Sequence, residues 1–299
     1  VKEQELLFMC GIVGFTGNRP AAQILIDGLK RLEYRGYDSA GISLAGNKLI
    51  TVKAVGKVKN LEAAVNELGP LPNTTGIAHT RWATHGAPSV KNAHPHVDSS
   101  GRFAVVHNGI IENYAELKQK LEQQGHKFVS DTDSEVIPNL IAEFYQGDFV
   151  QAVASALRRI SGTYGIAVLC TDYPDTIIAA RHGSPIVVGL GDECNIVASD
   201  VTPLAAYTRK VIYLDDGDLA ILTPKNVELR TIENLPVERE VSSIDWDISA
   251  SGKGSYDHFM LKEIFEQPIQ HGGGSFGGFG GGVVLIGTTL IPLLSGLFG

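Results

Sequence analysis

The chain has 299 residues, 43% of them hydrophobic and 19% charged, and carries a formal net charge of -8. This length can bury a sizeable core and the composition is that of a globular protein, which argues against disorder over most of the chain. The acidic balance disfavours nucleic acid or an anionic membrane as partner, and three widely spaced cysteines without a CxxC argue against a disulfide framework or zinc ribbon and for a reducing, cytoplasmic setting.

Residues 1–9 (VKEQELLFM) lack the basic start and apolar run of a secretory signal and read as an extension or propeptide. Cys10 to Thr16 (CGIVGFT) is short and apolar and predicts a buried strand. Ala21 to Leu32 places Ile24, Leu25, Leu29 and Leu32 on one helical face. Ala40 to Leu44 and Leu49 to Ala54 predict a hairpin across Gly46-Asn47. Leu61 to Leu68 predicts a helix stopped by Gly69-Pro70. Gly76 to His79 and Phe103 to Val106 are short strands flanking a polar loop. Asn113 is the expected cap of a helix running to Gln124, with Gly125 past its end. The acidic run Asp131 to Glu135 is expected to open a helix to about Tyr145, where free N–H groups favour negative charge. Val150 to Ile160 predicts a further helix.

From Gly165 to Leu229 seven β-rich runs recur, as in antiparallel sheets (IAVLC, TIIAAR, PIVVGL, CNIVAS, KVIYL, LAILT, VELR). Helices and strands are grouped rather than alternating, which predicts α+β with antiparallel sheets. Residues 10–231 form the expected main domain and 232–270 a linker, with a short helix over His258 to Glu266. The tail 271–299 is Gly-rich, then apolar and interrupted by Pro292. It falls short of the roughly 20 apolar residues a spanning helix needs, so no membrane partner is expected, and its role stays open.

Four local patterns could carry chemistry. A cysteine thiol needs a base, and an α-amino group on Cys10 itself would supply one; the competing reading of Cys10 is a small buried core residue. HTRWATHG (79–86) packs Arg81, a bidentate partner for a carboxylate, with Trp82, Thr84 and His85 into one loop. Asn108-Gly109 reads either as a hairpin turn or as two donors, amide and backbone N–H, converging on one oxyanion. Asp131 and Asp133 read either as helix caps or as a carboxylate that grips an ammonium. The spacings of His79, His85, His94, His96 and His107 do not match those of zinc sites, so no metal is expected.

Taken in order, CGIVGFTG, RLEYRGYDSAG, HTRWATHG, NAHPH, VHNGIIEN and SDTDSEVI resemble the class II, N-terminal-nucleophile glutamine amidotransferases. RLEYRGYDSAG and FMLKEIFEQP resemble the amino-sugar-forming branch, whose members continue into two sugar-phosphate isomerase domains. The resemblance runs from Cys10 to about Pro268. It implies a four-layer αββα sandwich of two antiparallel sheets. It also implies L-glutamine as substrate, hydrolysed to glutamate and ammonia without metal or organic cofactor. By resemblance Cys10 is the nucleophile, and Asn108 and Gly109 form the oxyanion hole. Arg81, Thr84 and His85 lie in the segment that binds the α-carboxylate, Asp133 binds the α-ammonium, Trp82 belongs to a closing loop, and Arg35 supports the nucleophile.

Two features depart from that pattern. If residues 1–9 stay attached, the Cys10 nitrogen is an amide and cannot act as base. The sugar-phosphate domains are replaced here by the tail, so the chain alone is expected to act at most as a glutaminase. The glutaminase domain of another class II amidotransferase, or an unprocessed glutamine-binding module, are the alternatives. The oligomeric state stays open, with a homodimer as one candidate.

Overall fold

The computed structural model describes residues 10–82 and 86–244. All described residues belong to the first of two units, Val1–Ala250. The expected extension 1–9, the helix at 258–266, the tail 271–299 and much of the expected linker 232–270 lie outside the described residues.

In chain order the elements are β1 (Gly11–Gly17), α1 (Ala21–Leu32), β2 (Ser39–Leu44), β3 (Ile50–Val55), α2 (Val58–Asn66), β4 (Thr75–Arg81), β5 (His96–Val97), β6 (Phe103–Ile111), α3 (Tyr114–Gln123), α4 (Val136–Phe144), α5 (Phe149–Leu157), β7 (Gly162–Cys170), β8 (Ile177–His182), β9 (Val187–Leu190), β10 (Cys194–Ala198), β11 (Lys210–Tyr213), β12 (Asp218–Leu222), β13 (Val227–Thr231) and β14 (Ser242–Ser243). One sheet has eight strands in the order β14-β11-β9-β10-β1-β4-β2-β3, and the other has six in the order β13-β12-β8-β7-β6-β5. Neighbouring strands pair antiparallel throughout.

Side chains alternate across each strand, and this sorts the core into three layers. In β1, Ile12 faces the layer between the sheets, while Val13 and Phe15 pack with α1 and α2. In β6, Ala104 and Val106 face that middle layer, while Phe103 and Val105 pack with α3, α4 and α5. The order is therefore helices, sheet, sheet, helices: the expected αββα sandwich. With both faces covered, β1 and β4 are buried along their whole length.

Helix α1 has the expected bounds because its apolar spacing matches one face. Leu25, Leu29 and Leu32 are fully buried and Ile24 sits at the rim. Each buried leucine contributes about 1.5–3 kcal/mol of transfer free energy. The seven β-rich runs are strands β7 to β13. No helix among the described residues is long and apolar enough to cross a membrane.

Some expectations differ from what is observed. Helix α2 begins at Val58, earlier than expected, because the distant Glu33 carboxylate accepts the Val58 N–H at 3.0 Å. Asn108-Gly109 makes no hairpin turn: β6 continues through both residues to Ile111, paired along β7. Gly109 has φ 138°, and a Cβ there would stand 2.1 Å from the Thr163 carbonyl oxygen, so the close pairing itself requires glycine. Asn113 does not cap α3 with its side chain. It binds the Arg159 carbonyl and the Ser161 N–H instead, both at 2.9 Å. The residues before α4 likewise give no side-chain cap to it.

Candidate active site

Strand β1 lies antiparallel to β4, with Gly11 opposite Thr80. That register places Cys10, just before β1, beside Trp82, just after β4. The Trp82 N–H donates to Cys10 Sγ at 3.1 Å, and the thiol lies 3.6 Å from the Trp82 carbonyl, to which it donates. The start of β1 is pinned by side chains: Thr80 Oγ1 accepts the Gly11 N–H at 3.2 Å and Ser199 Oγ the Ile12 N–H at 3.0 Å. Burial pushes the Cys10 thiol up, while the Trp82 N–H and the Arg81 charge pull it down without overcoming the rise. The thiol therefore stays protonated at neutral pH and needs a base to become a nucleophile.

The second sheet supplies the facing residues. Asn108 of β6 donates from Nδ2 to the Cys10 carbonyl at 2.8 Å, and its Oδ1 lies 2.9 Å from His79 Nε2. Gly109 follows at the exposed end of the strand. Two residues on, the Ile111 N–H donates to Asp133 Oδ2 at 2.7 Å. Asp133 is buried, and its other oxygen accepts from Ser134 Oγ at 3.3 Å. Asp133 is thus fastened to β6 rather than used as a helix cap. Asp131 is fastened too: it accepts from Lys91 at 3.0 Å and from Asn92 at 3.2 Å.

Arg81 is 4% exposed, so its charge is held inside the site. Its Nη2 donates to the Gly86 carbonyl at 3.0 Å, and Nη1 lies 3.9 Å from Asp38 Oδ1. Asn92, which also donates to the Ala87 carbonyl at 3.0 Å, ties the segment after β4 to the Asp131 turn. This brings the Arg81 and Asp133 segments to one end of the sandwich. Trp82 is 40% exposed, and its ring lies over Gly36, where a Cβ would stand 3.0 Å from it. Arg35 closes the short 3-10 turn just before Gly36. Thr84 and His85 lie outside the described residues.

Cys10, Arg81, Trp82, Asn108 and Asp133 are thus joined by short links through two strands and two turns. Two residues of the site have no role in the motifs: Ser199, for which no local sequence signal exists, and His79, which the sequence brings forward only as a metal-ligand candidate. For His79 a signal was present: it is in phase with Ile77 on β4 and so faces the buried middle layer. Among the described residues no group of histidine, cysteine or acidic side chains could hold a metal ion.

Both the sequence and the fold are similar to those of known proteins. A glutamine amidotransferase domain family matches residues 79–206. The glutamine–fructose-6-phosphate aminotransferase (isomerising) of Symbiobacterium thermophilum is 55% identical over 263 residues, 87% of this chain and 43% of that one. A Thermus thermophilus enzyme of the same name is 52% identical over 261 residues, with the same coverage of 87% and 43%. The chain therefore spans less than half the length of these relatives. Among solved structures, glutamine phosphoribosylpyrophosphate amidotransferase from B. subtilis aligns with a TM-score of 0.65 at 25% identity, covering 75% of this chain and 49% of that one. A glutamine aminotransferase class-II domain protein from Silicibacter pomeroyi, at 18% identity and TM-score 0.51 over 75% of this chain and 99% of that one, shares the fold.

Proposed function

We propose, because a glutamine amidotransferase domain family matches residues 79–206 and relatives 55% and 52% identical are named glutamine–fructose-6-phosphate aminotransferase, that this chain hydrolyses L-glutamine to glutamate and ammonia with Cys10 as nucleophile. The observation that carries the site assignment is the Asn108 amide, 2.8 Å from the carbonyl of the same cysteine whose sulfur accepts the Trp82 N–H.

In this reading the Arg81 fork takes the α-carboxylate of glutamine and the buried Asp133 its α-ammonium, with Thr84 and His85 completing the carboxylate side. Fixing both charges of the zwitterion aims the side-chain amide at Cys10. Trp82 covers the bound substrate, and Arg35 supports the turn beneath it. The sulfur attacks the amide carbon while its proton passes to the free α-amino nitrogen of Cys10. The carbonyl electrons collect on the oxygen, which takes the Asn108 amide N–H and the Gly109 N–H; one such donor is worth about 3–4 kcal/mol in the transition state. The ammonium then returns the proton to the leaving nitrogen, ammonia departs, and a thioester remains. Water adds to the thioester, releasing glutamate and restoring the thiol. None of these steps calls for a metal or organic cofactor.

The 55% identity to a relative named for fructose 6-phosphate supports a further part of the proposal. In a protein of the relatives' full length the ammonia would be passed to fructose 6-phosphate in sugar-phosphate isomerase domains. A cytoplasmic setting is part of the proposal, as expected from three widely spaced cysteines without a CxxC.

Intact mass and glutamate release measured on one preparation test the reading. A mass beginning at Cys10, with release lost in Cys10→Ala, is the expected result. Release by protein that retains residues 1–9 would overturn the requirement for a free amine.

A further inference from the structure

The two ends of an asparagine amide have the same shape, so only their hydrogen-bond partners decide which way the group points. The Nδ2 end of Asn108 meets the Cys10 carbonyl, which can only accept, at 2.8 Å. The Oδ1 end, also an acceptor, meets His79 Nε2 at 2.9 Å. The proton on His79 is therefore on Nε2. At 1% exposure, burial lowers the pKa of the ring to about 3, with His107 and Arg81 adding to the fall, so it is neutral at working pH. Its Nδ1 is then a bare lone pair, and it has no hydrogen-bond partner among the described residues. Burying an unpaired polar atom costs about 1–3 kcal/mol. A leucine would avoid that cost, so the ring is explained by what its other nitrogen does.

The ring is also held still. His94 stacks on it with centroids 4.3 Å apart and planes at 18°, and His96 packs edge-on to His94 at 4.4 Å. His94 Nδ1 accepts the His107 N–H at 3.2 Å, which fixes the His94 ring in turn. The His94 backbone lies directly on β2, where a Cβ at Gly41 would stand 2.2 Å from the His94 carbonyl oxygen. Gly41 pairs with His79 across the sheet, so the glycine makes room for the plate that backs the ring.

We propose that His79 is a positioning residue: as an Nε2–H donor it locks the Asn108 amide with its N–H end towards Cys10, so that the oxyanion donor is aimed before substrate arrives. This rests on the glutaminase reading. With the proton on Nδ1 instead, a lone pair would face Asn108 Oδ1, and either orientation of the amide would set two acceptors against each other, at His79 or at the Cys10 carbonyl. The N–H end would then no longer be held towards Cys10, and a turned amide would present its oxygen to the charge the site must stabilise.

His79→Leu and His79→Gln separate this role from packing. Leucine fills the space without a donor; glutamine restores an N–H of similar reach. In preparations of the full chain whose mass begins at Cys10, His79→Leu is expected to lower kcat about 100-fold, the scale of a lost oxyanion donor, with KM for glutamine changed less than about threefold. His79→Gln should recover most of that loss, and His79→Leu should cost nothing further in an Asn108→Ala background. A folded His79→Leu protein with wild-type kcat, or with the whole loss in KM, would overturn the proposal. Imidazole 15N NMR on the full chain gives a second readout that needs no turnover. A neutral Nε2–H tautomer of His79 from pH 5 to 8 is expected, and an Nδ1–H tautomer would refute the assignment. If the wild-type chain begins at Cys10 yet releases no glutamate, the glutaminase reading fails, and the NMR result still decides the role of His79.

Discussion

Asn108, in the six-stranded sheet, donates its amide N–H to the carbonyl of Cys10, at the head of the eight-stranded sheet, across 2.8 Å. The proposed nucleophile and its proposed facing donor thus come from different sheets, and their spacing depends on how the two sheets pack. Ala104 and Val106 of β6 and Ile12 of β1 lie in the layer that sets that spacing.

Asn108→Ala is expected to lower kcat for glutamine hydrolysis about 100- to 1,000-fold, because one preorganised donor is lost. It should also cost about 1–3 kcal/mol of stability, because His79 Nε2–H is left buried without its acceptor. Steady-state kinetics and urea unfolding measure the two effects. Unchanged kcat in a folded variant would remove Asn108 from the oxyanion role.

Asp133→Asn and Asp133→Ala separate charge from support. Asparagine keeps an oxygen for the Ile111 N–H, now bound at 2.7 Å, but loses the charge that would hold the substrate ammonium. It should raise KM for glutamine at least about tenfold and change stability by less than about 1 kcal/mol. Alanine should do both: raise KM and cost about 1–3 kcal/mol by orphaning that N–H. A wild-type KM in Asp133→Asn would refute the ammonium role.

Gly41→Ala should destabilise the protein by about 1–3 kcal/mol or more, the usual range for overpacking, because the new methyl meets backbone that cannot swing aside. The shift that relieves the clash moves His94 away from His79, so glutaminase activity should fall as well. Thermal unfolding and kcat on the same sample test this, and a variant normal in both would show that the His94 segment yields without consequence.

Acid should destabilise the fold before the carboxylates titrate. Burial depresses His79, His94, His96 and His107, with His79 at about 3. Below the unfolded value of about 6.5 the unfolded chain takes up protons that the folded chain refuses. Stability is therefore complete above about pH 6.5 and is lost as pH falls towards the folded values, by about 1.4 kcal/mol per pH unit for each such proton. Urea midpoints from pH 7.5 to 5 should fall steadily. A flat profile would show that these rings protonate without unfolding.

Much of the architecture was legible in the sequence because it follows from local periodicity. The 3.6-residue apolar spacing of α1 and the seven β-rich runs each specify an element without reference to the rest of the chain. The ordered motifs marked Cys10, Arg81, Trp82, Asn108 and Asp133 as a set, although spacing alone left Asn108-Gly109 open as a hairpin and Asp131 and Asp133 open as caps. Those alternatives were decided by partners far away in sequence. Thr163 on β7 keeps Gly109 in a strand, Ile111 on β6 takes the Asp133 carboxylate, and Arg159 with Ser161 draws Asn113 away from the helix it precedes. Likewise, no pattern within residues 75–81 says that His79 meets Asn108, because that contact exists only once two sheets face each other. Which elements form can be read along the chain, since periodicity and turn chemistry act within a few residues. Which way each polar side chain points cannot, since a buried hydrogen-bonding group takes the partner that packing brings to it.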